Sequence, residues 1–187
     1  MRLALLAGLV VSIGCMTTSA ASSTPKEIVQ NLQTVKGQYV TYTKPEQVKT
    51  IKGVLTPQLY SALLDWSTWL QKAYKAIPET DYDAQMMMPM NANPFFGESD
   101  QTGDPAPSET ITGDTATVVA KTVTVNTDGK SVLRKATNTF QFVRKNGNWL
   151  LSDVQRVSTA FPDWEPMQSD LLADLKEGTA KYKKQKR

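Results

Sequence analysis

The chain has 187 residues, with 21 Lys+Arg against 18 Asp+Glu and a formal net charge of +3. That length suits one domain with a proper core plus a targeting segment, and the charge balance does not by itself imply a nucleic-acid partner. It contains no histidine and one cysteine, which excludes His-dependent triads, imidazole metal ligands, an internal disulfide and a multi-thiolate metal site.

Met1-Arg2 followed by Leu3 to Gly14 reads as a secretory signal, a short positive start and an apolar run of roughly 7–15 residues. It is too short to span a bilayer, which takes about 20 apolar residues. Residues 1–20 are therefore expected to be a signal peptide, cut at Thr18-Ser19-Ala20 or Ser19-Ala20-Ala21. Ser12-Ile13-Gly14-Cys15 also resembles the lipobox of bacterial lipoproteins, with Ser12 standing where Leu is usual. That resemblance implies a lipid on Cys15, membrane attachment through it, and a polar tether from Met16 to Thr24. Both readings stay open, and both imply a bacterial periplasm or cell envelope. Residues 21–24 are a polar linker under the first.

Ser23 or Thr24 can cap a helix with Pro25 in its first turn. Ile28, Leu32, Val35 and Tyr39 continue it as one apolar stripe, until Lys44-Pro45 breaks it. Glu46 to Lys52 is a short helical candidate stopped by Gly53. Leu55-Thr56-Pro57 marks a second long start, with Thr as cap, Pro at the first helical position and Leu55 as a staple. Leu59, Leu63, Trp66, Leu70 and Tyr74 form its stripe, ending before Pro78. From residue 78 to 107 the chain is rich in Pro, Gly, Asn, Asp and Met without sustained period. A loop that long tends to be functional or disordered.

Residues 115–157 read as three strands. Ala116 to Val125 is rich in β-branched residues, with Lys121 and the threonines suiting a partly wet face. Asp128-Gly129 and Asn146-Gly147 are hairpin signals, and connections this short make neighbours antiparallel. Phe140 and Phe142 project from one face, which the helices must cover. Gln168 to Lys184 is helical in pattern, weakened at Gly178 and followed by a basic tail read as a solvated, frayed end.

Several groups carry candidate chemistry. Met86, Met87, Met88 and Met90 could bind soft Cu(I), but a flexible apolar plug or partner surface is the favoured reading. Asp81, Asp83, Asp100 and Asp104 could bind Ca²⁺, although their spacing fits no EF-hand-like loop and acidic residues around Gly and Pro are ordinary turn chemistry. Asp153 could be a buried base or a hydrogen-bond anchor. Tyr39, Tyr60, Trp66, Phe140 and Trp149, with Tyr42 and Trp69, could line an apolar pocket under the sheet or simply be core. No residue is assigned as catalytic or metal-binding, and no cofactor is expected.

Helices first, then a long loop, then a sheet carrying Gly113-Asp-Thr-Ala-Thr-Val118 and Asn146-Gly-Asn-Trp-Leu-Leu-Ser-Asp-Val154, resemble the nuclear transport factor 2-like (cystatin-like) superfamily, and within it exported bacterial proteins of unknown function. Leu55-Thr-Pro-Gln-Leu59 matches the phrase that opens their second long helix. The resemblance implies an α+β fold over residues 25–160, with N-terminal helices on a curved, cone-like antiparallel sheet. Residues 161–187 are expected to add the C-terminal helix and tail. The superfamily holds isomerases, dehydratases and non-catalytic binding, dimerisation and immunity proteins; the dehydratase-type His-Asp pair has no His here. The expected function is a non-enzymatic envelope protein binding a small apolar ligand or a protein partner, with a homodimer left open. The alternatives are an Asp-dependent isomerase- or hydrolase-like enzyme and a toxin-neutralising immunity protein whose acidic loop would dock.

Overall fold

A computed structural model describes residues 23–35, 38–81, 83, 88–90, 93–97, 101–102, 106–125, 132–160 and 165–185. Thr24 opens the first helix, α1 (Pro25–Gln33), by a capping box: its hydroxyl accepts the Glu27 N–H while Glu27 Oε2 accepts the Thr24 N–H. The helix stops at Gln33, so Val35 and Tyr39 do not extend its stripe as the spacing predicts. They fall instead in a two-stranded hairpin, β1 (Thr34–Val35) and β2 (Gln38–Tyr39). Thr34 and Val35 are β-branched and Gly37 follows, and all three are poor helix formers. A short helix α2 (Pro45–Thr50) and a 3-10 turn (Lys52–Val54) come next.

The long helix α3 (Pro57–Ala76) starts as its sequence predicts, with Thr56 capping and Pro57 at the first helical position. It is stitched to the sheet at its root. The Thr56 N–H donates to the Leu151 carbonyl at 2.8 Å, and Leu55 bridges Leu151 in parallel. Leu59, Leu63 and Leu70 are buried along it.

The sheet contains β3 (Gln101–Thr102), β4 (Ser108–Thr112), β5 (Thr115–Val125), β6 (Val132–Lys145), β7 (Asn148–Ala160) and β8 (Met167–Asp170). Its order is β3-β5-β6-β7-β8, all antiparallel, with β4 beside the other half of β5. Asn146 (φ 51°) and Gly147 (φ 80°) turn β6 into β7 with both backbones left-handed, as a two-residue hairpin demands. The Asp128-Gly129 turn lies outside the described residues. The predicted C-terminal helix is α4 (Leu171–Gln185). It starts three residues later than expected, because Met167–Asp170 pairs with Gln155–Ser158 and extends the sheet instead. The chain is thus α+β, an open antiparallel sheet with helices packed on it.

Alternation sorts β5 cleanly, but not quite as its composition suggests. Ala116, Val118, Ala120, Thr122 and Thr124 are buried, while Lys121 is exposed. Two threonines therefore share the core face rather than the wet one, and Asn138 of β6 donates to the Thr122 hydroxyl at 3.4 Å. β7 breaks the alternation. Leu151 and Val154 are both buried although three apart, because the β6–β7 register shifts between Gln141 and Phe142 and leaves Ser152 as the extra residue. The Ser152 hydroxyl donates to the Gln141 carbonyl at 2.8 Å and seals the bulge.

One core unites the layers. Leu63, Phe140 and Trp149 lie in the same cluster with Ile28, Val29 and Leu32 of α1 and Leu171 and Leu175 of α4. The long loop feeds it as well. Phe95 and Phe96 are buried, Phe95 edge-on to Tyr42 (ring centres 5.5 Å apart) and Phe96 tilted against Phe140 (5.1 Å).

Candidate functional site

The segment Asn93-Pro-Phe-Phe-Gly97 is pinned by hydrogen bonds that also shape its surroundings. Its Asn93 carboxamide donates to the Leu32 carbonyl (2.9 Å) and the Val40 carbonyl (2.7 Å), and accepts the Phe95 N–H (2.9 Å). Leu32 is in the last turn of α1, where carbonyls have no helical partner, so Asn93 satisfies one of them from across the chain. Gly97 takes a positive φ of 101°, and a Cβ there would fall on the Arg156 guanidinium, which donates to the Phe96 carbonyl at 2.6 Å.

With α1 and residues 40–43 fixed in this way, a cleft of about 510 Å³ opens between α1, residues 40–42, α2 and the 3-10 turn. Ile28, Leu32 and Tyr42 are its buried lining, Val40, Gln47, Ile51 and Val54 are half-buried, and Ser23, Asn31, Thr50 and Gly53 are exposed around them. The lining is mainly aliphatic with a few polar groups, the usual composition of a small-molecule site.

Tyr42 is the unusual residue. Its backbone is left-handed, φ 52°, a region that an aromatic residue rarely occupies. Such a conformation costs of order 1–3 kcal/mol and persists only where the surroundings impose it. The neighbours do so here: Gln71 Nε2 donates to the Thr43 carbonyl (3.3 Å), the Thr43 hydroxyl to the Met90 carbonyl (3.2 Å), and Phe95 packs on the ring. The phenol donates to the Asn31 carbonyl at 3.4 Å, and burial pushes its pKa up from 10.0 to about 12. It is a neutral hydrogen-bonding group at neutral pH.

The aromatic residues singled out from sequence fall elsewhere. Phe140 is fully buried in the core, and Trp149 is buried under the Arg144 guanidinium, 5.5 Å from its ring centre. Trp66 is half-buried on α3 facing Gly178 of α4. Tyr60 is half-buried with Lys52 Nζ 5.6 Å from its ring centre. None of these four lines the cleft. The side chains of Tyr39 and Cys15 lie outside the described residues, whereas Tyr42 does line it.

Asp153 holds a structural post. Its Oδ1 accepts the Val154 N–H (2.8 Å) and the Leu172 N–H (3.0 Å), so it caps the start of α4 from the neighbouring strand. The bulge at Ser152 is what aims it there. Of the loop residues, Asp81 and Asp83 are exposed and Met88 and Met90 half-buried; Met86, Met87, Asp100 and Asp104 lie outside the described residues. Among the described residues no three Asp, Glu or Cys side chains converge as a metal site, and no helix is long and apolar enough to cross a membrane.

Sequence reasoning passed over two features. The Asn-Pro pair and closing glycine of Asn93–Gly97 are turn signals around two phenylalanines. That pattern marks a tight apolar plug inside the long loop. The cleft has no comparable signature, because Ile28, Leu32 and Ile51 are ordinary stripe residues of separate helices. Comparison with protein-family models, with curated proteins and with solved structures finds no match.

Proposed function

We propose that this chain is a non-enzymatic exported protein that binds a small apolar ligand in the cleft between α1 and α2. The observation that carries the reading is the cleft itself. Its volume of about 510 Å³ falls within the range of roughly 300–1,000 Å³ typical of small-molecule sites. Its wall at Tyr42 is held in a left-handed backbone conformation by the contacts that also tie the long loop and α3 to this side of the core. The apolar leader before Gly14 supports export, and Cys15 offers a lipid anchor under the lipobox reading. The order of helices, long loop and antiparallel sheet supports a nuclear transport factor 2-like fold. Asp153, the one carboxylate weighed as a base, already accepts two backbone N–H groups, which favours binding over Asp-dependent catalysis.

A fluorescent apolar probe, N-phenyl-1-naphthylamine, tests this. The wild-type protein should enhance its emission saturably, and Gly53→Phe should weaken binding. Gly53 lines the cleft, a Cβ there meets no atom within 4 Å and the backbone is not left-handed, so a side chain can be carried at the cleft wall without a clash at its Cβ. Equal binding by the two proteins, or none by the wild type, would contradict the proposal.

A further inference from the structure

Resting on the reading of this cleft as an apolar-ligand site, we infer that its ligand is a single alkyl chain carrying an anionic head, a fatty acid or a lysophospholipid. Three observations support this. The walls that Ile28, Leu32, Val40, Ile51 and Val54 supply are aliphatic, and the one ring among the described lining residues, Tyr42, is already packed by Phe95. Such a lining suits a flexible chain better than a flat aromatic. The size agrees: a methylene occupies about as much space as a water molecule, roughly 30 Å³, so the cleft is of a size for a chain of on the order of fifteen carbons.

The third observation is charge. Residues 23–54, which supply every described lining residue, contain five lysines against two glutamates. Lys44, Lys49 and Lys52 are exposed on α2 and its flanks, and Lys52 directly precedes the lining residue Gly53. Nζ of Lys52 sits 5.6 Å from the centre of the Tyr60 ring, and no lysine is itself a described lining residue, so the cations flank the cleft rather than enter it. No carboxylate lines the cleft among the described residues. An apolar floor with a cationic surround and neutral hydrogen-bonding groups at Tyr42, Asn31 and Gln47 is complementary to a chain whose charge stays at the mouth, where water still solvates it.

The test compares twelve-carbon ligands below their micelle concentrations by calorimetry with the mature protein. Laurate and lauroyl-lysophosphatidylglycerol should bind more tightly than dodecanol by about three- to tenfold at low salt. Dodecyltrimethylammonium should bind most weakly. Affinity within the fatty-acid series should rise about fourfold per methylene until the cleft is full. Lys49→Gln/Lys52→Gln should bring laurate down to dodecanol while leaving dodecanol unchanged. Laurate preferred over the lysolipid assigns a free fatty acid; the reverse assigns a membrane-derived head.

Dodecanol binding as well as laurate, or the cationic amphiphile binding best, overturns this inference and leaves the apolar-cleft reading standing. Binding of N-phenyl-1-naphthylamine with no binding of any alkyl chain does the same. Failure of every ligand, that probe included, defeats both.

Discussion

Asn93 is the most exposed joint in this account, because one buried carboxamide serves α1, the strand end at Val40 and the phenylalanine plug together. Replacing it with Ala removes three hydrogen bonds, to Leu32 O, from Phe95 N and to Val40 O. Each is worth about 0.5–1.5 kcal/mol net, and each partner left buried adds a desolvation cost. The expected loss is about 3 kcal/mol. For a domain of this size that lowers Tm by roughly 6–12 °C, read by circular dichroism together with urea unfolding. Asn93→Asp adds a signed pH dependence. Its carboxylate would face two carbonyl oxygens away from water, which raises the folded pKa above the unfolded value of about 3.9. The protonated acid can still donate one hydrogen bond, so the variant should be nearest to wild type around pH 4. It should fall further behind as pH rises to 7. Because Leu32 and Val40 both line the cleft, both variants should also weaken probe binding. A Tm drop under 2 °C for Asn93→Ala, or a gap for Asn93→Asp that narrows as pH rises, would refute the reasoning.

Other perturbations probe the remaining joints. The folded pKa of Tyr42, about 12 against 10.0 for the free side chain, means that its neutral form stabilises the fold below pH 10. That contribution, of order 2 kcal/mol, is lost as pH rises from 10 to 12; in Tyr42→Phe the alkaline unfolding curve should be flatter by that amount. Gly97→Ala should cost more than about 2 kcal/mol, since it combines a disfavoured φ with the Arg156 guanidinium at the Cβ position, and urea titration reads it directly. Gly178→Ala should stabilise by about 0.5–1 kcal/mol and raise Tm by a few degrees, because its Cβ would meet Trp66 at 4.0 Å, an ordinary contact, in a helix that glycine weakens. Asp153→Ala should remove the cap of α4 at a cost of about 1 kcal/mol. Amide exchange should then quicken first at Leu172 and its neighbours, and unchanged exchange there would contradict the capping role.

The elements readable from sequence were those whose signals are local. Thr24-Pro25 and Thr56-Pro57 are caps written in adjacent residues, and each opens a helix as expected. Asn146-Gly147 needs two left-handed residues and supplies two that tolerate them. Features set by distant partners were not readable. The Leu32 carbonyl at the end of α1 finds its partner in Asn93, sixty-one residues away, which no local pattern around Leu32 reveals. The strand at Met167–Asp170 forms because β7 offers an unpaired edge, which no pattern within those four residues reveals. The bulge at Ser152 inverts the inward and outward faces of β7 and turns Asp153 from a candidate base into a helix cap. The candidate site follows the same rule. An aromatic stripe is visible in sequence, but the space between helices depends on how they are held apart.

Methyl-labelled NMR with laurate and dodecanol tests the central claim most directly. An apolar molecule entering the cleft should shift the methyl signals of Ile28, Leu32, Val40, Ile51 and Val54 saturably, while those of Leu63, Leu70 and Val154 stay near their free positions. Shifts concentrated at Leu63 and Val154, around Phe140 and Trp149, would place the ligand under the sheet and contradict the account.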